Sequence, residues 1–81
     1  MLLRGQVIRS EAGRDKGYLM SVVASDDKYV YVCDGKERRL ASPKRKNPKH
    51  IKVCGCVLNE AQLHSDKALR AALAQAESNN E

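Results

Sequence analysis

The sequence predicts a mainly β domain, a small barrel of about five short strands followed by one short C-terminal α-helix. Three observations predict it. The run KYVYVC alternates with the period of a strand, glycine-bearing turns punctuate the first half of the chain, and after residue 64 the apolar spacing changes to that of a helix.

The strands follow in order. Residues 5–10 form a first strand with Val7 and Ile8 as its apolar content, and residues 18–25 a second, longer one. Ser25, Asp26 and Asp27 make a polar turn into residues 28–33, where Val30 and Val32 share one face and Tyr29, Tyr31 and Cys33 the other. Asp34 and Gly35 are a strong hairpin signal. A fourth strand is expected over residues 36–41, where Glu37, Arg39 and Ala41 alternate with Arg38 and Leu40. Pro43 and Pro48 bracket the lysine and arginine cluster, and each lacks the N–H that a ladder needs, so the cluster reads as a loop. Residues 50–54 give a last strand with Ile51 and Val53 inward.

In the tail, Ser65 is a good N-cap and Asp66 suits the first turn, while Ala68, Leu69, Ala72, Leu73 and Ala76 recur at helical spacing. About three turns of helix result. The alanine-rich stripe is expected to dock on the barrel's flank, Asn59 is a rival helix start, and the end, ESNNE, reads as frayed. The expected division is a barrel over residues 1–56 and a linker, helix and tail over 57–81. Five strands in meander order close most simply into an SH3-like barrel, because open edges aggregate.

The chain of 81 residues has no Trp or Phe, so its core must come from Val, Leu, Ile, Met and Ala. It leaves little room for the deep pocket that small-molecule chemistry needs, and binding is the better expectation. No apolar run is long enough to cross a bilayer and no export signal is present, which predicts a cytoplasmic protein without a membrane partner.

Charge is unevenly placed. Residues 1–35 carry five basic and five acidic side chains, whereas residues 36–52 carry Lys36, Arg38, Arg39, Lys44, Arg45, Lys46, Lys49 and Lys52 against Glu37 alone. The bland reading is a solubilising surface loop, but such loops usually mix their signs. A one-signed block is the footprint of a polyanion partner. A second basic element is GRDKG, in which Gly13 and Gly17 frame Arg14, Asp15 and Lys16. Asp15 could bond its own backbone as an Asx turn, and Arg14 and Lys16 either dress a solvated loop or form a finger aimed at phosphate.

The run GQVIRSEAGRDKGYLMSVVASDDKYVYVCDG resembles a KOW motif: a strand, a Gly-x-x-Lys-Gly loop, a strand, an acidic turn and a further strand ending at Asp34 and Gly35. It is similar to the KOW segment of archaeal and eukaryotic large-subunit ribosomal proteins and to small bacterial KOW-domain RNA-binding proteins. The continuation KERRLASPKRKNPKHI resembles the latter, so the likeness covers about residues 5–53. Elongation-factor KOW patterns often have a glycine where Met20 stands here, which favours the ribosomal type. The resemblance implies an SH3-like barrel that binds RNA, ribosomal RNA above all, without catalysis. It makes Gly13, Gly17 and Gly35 motif glycines and Arg14 and Lys16 the phosphate-facing residues, with Lys36, Arg38, Arg39, Lys44, Arg45, Lys46, Lys49 and Lys52 as further RNA contacts.

Other chemistries are weaker. Cys54 and Cys56 with Cys33, His50 and His64 lack the paired knuckles of a zinc site, so no metal or other cofactor is expected, and the odd cysteine count fits reduced thiols. Nothing supplies an orienting group or oxyanion loop for a Cys54 nucleophile. Tyr29 and Tyr31 share a face and either stack bases or pack under a helix or loop. The rival functional reading is an adaptor that docks on RNA polymerase or a ribosomal protein through the barrel and the alanine-rich helix.

Overall fold

A computed structural model describes residues 2–79. Five strands, β1 (Gln6–Ser10), β2 (Leu19–Ser25), β3 (Val30–Cys33), β4 (Lys44–Lys46) and β5 (Ile51–Val57), precede one helix, α1 (Asp66–Asn79), and a single 3-10 turn at Pro48–His50 leads into β5. The strands form one antiparallel sheet in the order β4-β3-β2-β1-β5. The first strand thus pairs on both sides, and the last returns to it. Irregular registers between Val22 and Ala24 in β2, and between Gln6 and Ile8 in β1, mark bulges, which strengthen twist and curl a sheet. The result is a small SH3-like barrel left open between β4 and β5.

Alternation along the strands builds two apolar clusters, one on each face. Ile8, Met20, Val22, Val30 and Val32 fill the inside of the curl, joined by Leu2 and Ile51. Their chain neighbours Val7, Leu19 and Cys33 face the other way and meet Leu58, Leu63, Leu69, Ala72 and Leu73. Helix α1 is therefore the lid of the second face, and its stripe is spent on the sheet. Ser65 caps the helix, its Oγ accepting from the Ala68 N–H at 3.1 Å. Asn59 does start a turn, exchanging 2.9 Å side-chain bonds with Gln62. That turn delivers Leu63 to the core, and the helix proper begins only at Asp66.

The helix also clamps the segment after β3. Asp66 Oδ1 accepts from the Leu40 N–H at 2.8 Å, and Arg70 Nη1 donates to the Gly35 carbonyl at 2.8 Å. Gly35 has φ of 78°, and a Cβ there would run into the Asp66 carbonyl oxygen, so both conformation and contact require glycine.

Here the structure corrects the expected fourth strand. The segment from residue 36 to 41 joins no ladder, because its donors are used otherwise: Asp34 Oδ1 accepts from the Lys36 and Arg38 N–H groups, and Leu40 bonds Asp66. The cluster expected to be a loop contains the strand instead. Lys44, Arg45 and Lys46 pair with Val32, Tyr31 and Val30, and Pro43 stands just before the first paired residue, where its missing N–H does no harm. At the other edge, β5 continues past Cys54 to Val57, so the expected boundary between residues 56 and 57 falls inside a strand. Val53 was expected inward and is 50% exposed, because β5 spends four residues between its pairings with Ile8 and Gln6 where β1 spends two. Of the expected frayed end, residues 77–79 lie in α1, and 80–81 lie outside the described residues. No helix among the described residues is long and apolar enough to cross a membrane.

Burial pushes the Cys33 thiol up to about 11, with the negative charges of Asp66 and Asp34 adding to the effect. A thiolate-seeking alkylating reagent at pH 8 is expected to modify exposed Cys56 and to spare Cys33 until urea unfolds the chain. Peptide mass spectrometry would report the order, and equal rates at the two sites would refute this packing.

Candidate nucleic-acid interface

The loop GRDKG sits between β1 and β2 and is closed by backbone bonds at its base, Gly17 N–H to the Ser10 carbonyl at 2.8 Å and Ser10 N–H to the Tyr18 carbonyl at 3.0 Å. Gly13 and Gly17 take φ of 86° and 91°, the left-handed region that glycine alone enters without strain. Asp15 does not form the local Asx turn considered above. Its carboxylate turns inward, accepts from Ser10 Oγ at 2.7 Å and from Lys46 Nζ at 2.9 Å, and meets Lys44 Nζ at 3.1 Å. The Lys44 contact is an ion pair with angles poor for a hydrogen bond, which leaves Oδ2 without an aligned donor.

Burial alone would raise the Asp15 pKa, but the bonds from Lys46 and Ser10 and the Lys44 ion pair outweigh it and hold the carboxyl well below the usual range. Lys46 Nζ also donates to the Ala12 carbonyl at 2.6 Å, and the residue is only 6% exposed. Lys46, expected among the RNA contacts, is thus committed to an internal ion pair. With the one acid of the loop turned inside, its two bases, Arg14 and Lys16, remain exposed.

Other predicted residues divide into groups. Arg14, Arg38 and Lys44 line one cleft of about 260 Å³ together with Tyr18, Met20 and the acids Asp15, Asp34 and Glu37. Lys36 stands with Gly17, Tyr18 and Glu37 on an adjoining hollow, and Arg39 is exposed on the same turn. Arg45 belongs to a different patch: its guanidinium lies 4.6 Å from the centroid of the Tyr29 ring, a cation–π distance, and it is opposite Tyr31 in the ladder. Tyr29 and Tyr31 are part-buried. They line an open hollow with Asp26, Asp27 and Lys28, and the Tyr31 hydroxyl donates to Asp26 Oδ2 at 2.8 Å. Lys49, in the 3-10 turn, and Lys52, on β5, are exposed.

Tyr18 was missed as a site residue. It is 47% exposed beside Arg14 and Arg38, and the available signal was an aromatic immediately after the loop's second glycine. Among the described residues no three His, Cys, Asp or Glu side chains stand close enough to hold a metal ion together. No protein-family model matches the chain, and no curated protein is significantly similar to it.

Proposed function

We propose that the chain is an RNA-binding module of the KOW type that holds structured RNA, ribosomal RNA foremost, through the Gly13–Gly17 loop and the basic turn beside it. The observation that carries this reading is the fate of Asp15. Drawing the loop's acid into contact with Lys44 and Lys46 fixes the loop on β4 and leaves Arg14 and Lys16 at its surface, next to Arg38. An unpaired Asp15 carboxylate would add to the negative charge that Asp34 and Glu37 already bring to this cleft. Tyr18 offers an exposed ring between these cations, suited to an unstacked base. The adaptor reading loses its helix face, since Leu69, Ala72 and Leu73 are buried against the sheet.

Binding of a ribosomal RNA hairpin should weaken steeply with salt. About five phosphate contacts give a logarithmic slope near −3.5 for single strands and −4.5 for duplex, or on the order of 10²-fold between 50 and 200 mM salt. Fluorescence anisotropy at several salt concentrations measures it. A nearly flat response would favour the adaptor.

A further inference from the structure

The second edge of the sheet points to a function separate from RNA. Backbone groups of His50, Cys54, Cys56 and Leu58 face β1: the His50 carbonyl accepts from the Glu11 N–H, the carbonyls of Cys54 and Cys56 accept from Gln6 Nε2 at 2.6 and 3.1 Å, and the Leu58 N–H donates to the Gly5 carbonyl. Strand alternation then directs the N–H and C=O groups of Ile51, Val53, Gly55 and Val57 outward. No strand among the described residues pairs with them. Natural edges are usually blunted by charge or proline, as β4 is by Lys44, Arg45 and Lys46. Residues 53–57 carry neither, and the edge device they do have is the bulge opposite residues 6–8. They present Val53 and Val57 about half exposed, at 50% and 51%.

The sequence of this edge is a palindrome, Val-Cys-Gly-Cys-Val, centred on Gly55. Gly55 lies in the bulge that β5 makes between Val53 and Val57. Its φ is not in the left-handed region, and an added Cβ would meet no atom within 4 Å, so the bulge does not itself require glycine. A strand glycine marks either a bulge or a place where another backbone comes close, and here both can hold.

We propose that two copies of the chain pair through β5, antiparallel, about a two-fold axis at Gly55. A closed two-fold interface needs a self-complementary patch, and a palindromic edge strand is one. Gly55 faces its own counterpart, and Val53 faces Val57 of the second copy, both as hydrogen-bonded pairs, because the outward backbone groups belong to the odd-numbered residues. Cys54 faces Cys56 of the second copy at the intervening non-hydrogen-bonded positions. There Cα atoms lie about 4.5 Å apart, within the range of about 4.4–6.8 Å that a disulfide spans. The four half-exposed valines are covered, and the two five-stranded sheets become one.

The test uses the full chain without RNA. Sedimentation in reducing buffer should show a concentration-dependent rise from 9.0 kDa toward twice that mass. Diamide, which takes up the two electrons and two protons released as each disulfide forms, should then yield a covalent dimer whose peptides join Cys54 to Cys56. Cys54→Ser alone and Cys56→Ser alone should each fail to cross-link, since the remaining edge thiol faces a serine and Cys33 is buried. Mixed together they should cross-link. Val53→Lys with Val57→Lys, at exposed positions that the fold does not need, should lower the dimer fraction at least tenfold. A chain that stays monomeric, an intrachain bond between Cys54 and Cys56, or single variants that cross-link as well as their mixture would each overturn the proposal.

Discussion

Asp15→Asn is expected to cost the fold about 3–5 kcal/mol, the usual loss when one partner of a buried ion pair is removed and the other is stranded. The stranded group is the Lys46 ammonium, which keeps the Ala12 carbonyl and the new amide oxygen as acceptors but loses its counter-charge. Small domains have about 5–15 kcal/mol to lose, so this one exposed-loop motif residue governs much of the stability. Urea unfolding at pH 7 measures it, and a loss below 1 kcal/mol would mean that Lys46 finds water in the fold. Adding Lys46→Met should recover a large part of the loss, because an apolar side chain needs no counter-charge.

The same pair fixes a pH response. Asp15 is held far below its ordinary value of 3.8, so the unfolded chain takes up a proton more readily than the native one. Its contribution is fully present above about pH 5 and disappears as the pH falls through and below 3.8. The urea midpoints of the parent and of Asp15→Asn should therefore differ most at neutral pH and converge in acid.

Reversing Arg38, Arg39 and Arg45 to Glu is expected to weaken binding to every RNA alike, by on the order of 10²-fold at 0.1 M salt, and to reduce the salt slope by about 3. These side chains are exposed, so melting temperatures should fall only slightly, through the loss of the contact between Arg45 and Tyr29. Lys44 and Lys46 must be left alone, because a charge reversal there would act on Asp15 and on the fold. Replacing Arg14 and Lys16 by Ala should instead reduce the preference for a structured RNA over a random strand, by about 1–3 kcal/mol, since the glycine-framed loop sets where they stand. Paired titrations of both variants against both RNAs distinguish the outcomes. Equal losses throughout would reduce the loop to one more source of charge.

The first three strands and the helix were legible because apolar periodicity wrote them. Val7, Ile8, Val30 and Val32 alternate across a sheet, and Leu69, Ala72 and Leu73 follow a helix. The fourth strand was misplaced because the same rule misleads where a strand's inward residue is charged. KERRLA satisfies alternation through Leu40, yet its backbone is claimed by Asp34 and by Asp66 of a distant helix. KRK shows no apolar pattern at all, and its inward member is Lys46, acceptable only because Asp15 comes from thirty-one residues earlier in the chain. A partner at that separation leaves no local trace. For the candidate site, Arg14, Lys16, Arg38 and Arg39 could be picked out from charge and turn chemistry. That Lys46 belongs to the interior, and that Arg45 lies over Tyr29, depends on a register set by the whole sheet.

The lid formed by α1 also bears on how the protein comes off the ribosome. Translation delivers β1, β2 and β3 first, and their inner cluster can gather as soon as they emerge. Their second face cannot, because the side chains that cover Val7, Leu19 and Cys33 lie after β5, from Leu58 to Leu73. Between the emergence of β5 and that of α1 the nascent chain therefore carries a paired sheet with one greasy side open, the kind of species that chaperones hold and that self-associates if they do not. Completion waits for α1, which closes the sheet and, through Asp66 and Arg70, locks the turn that carries Arg38 and Arg39. A polypeptide released short of that helix would be an aggregation hazard in which the turn of Arg38 and Arg39 has lost its clamp.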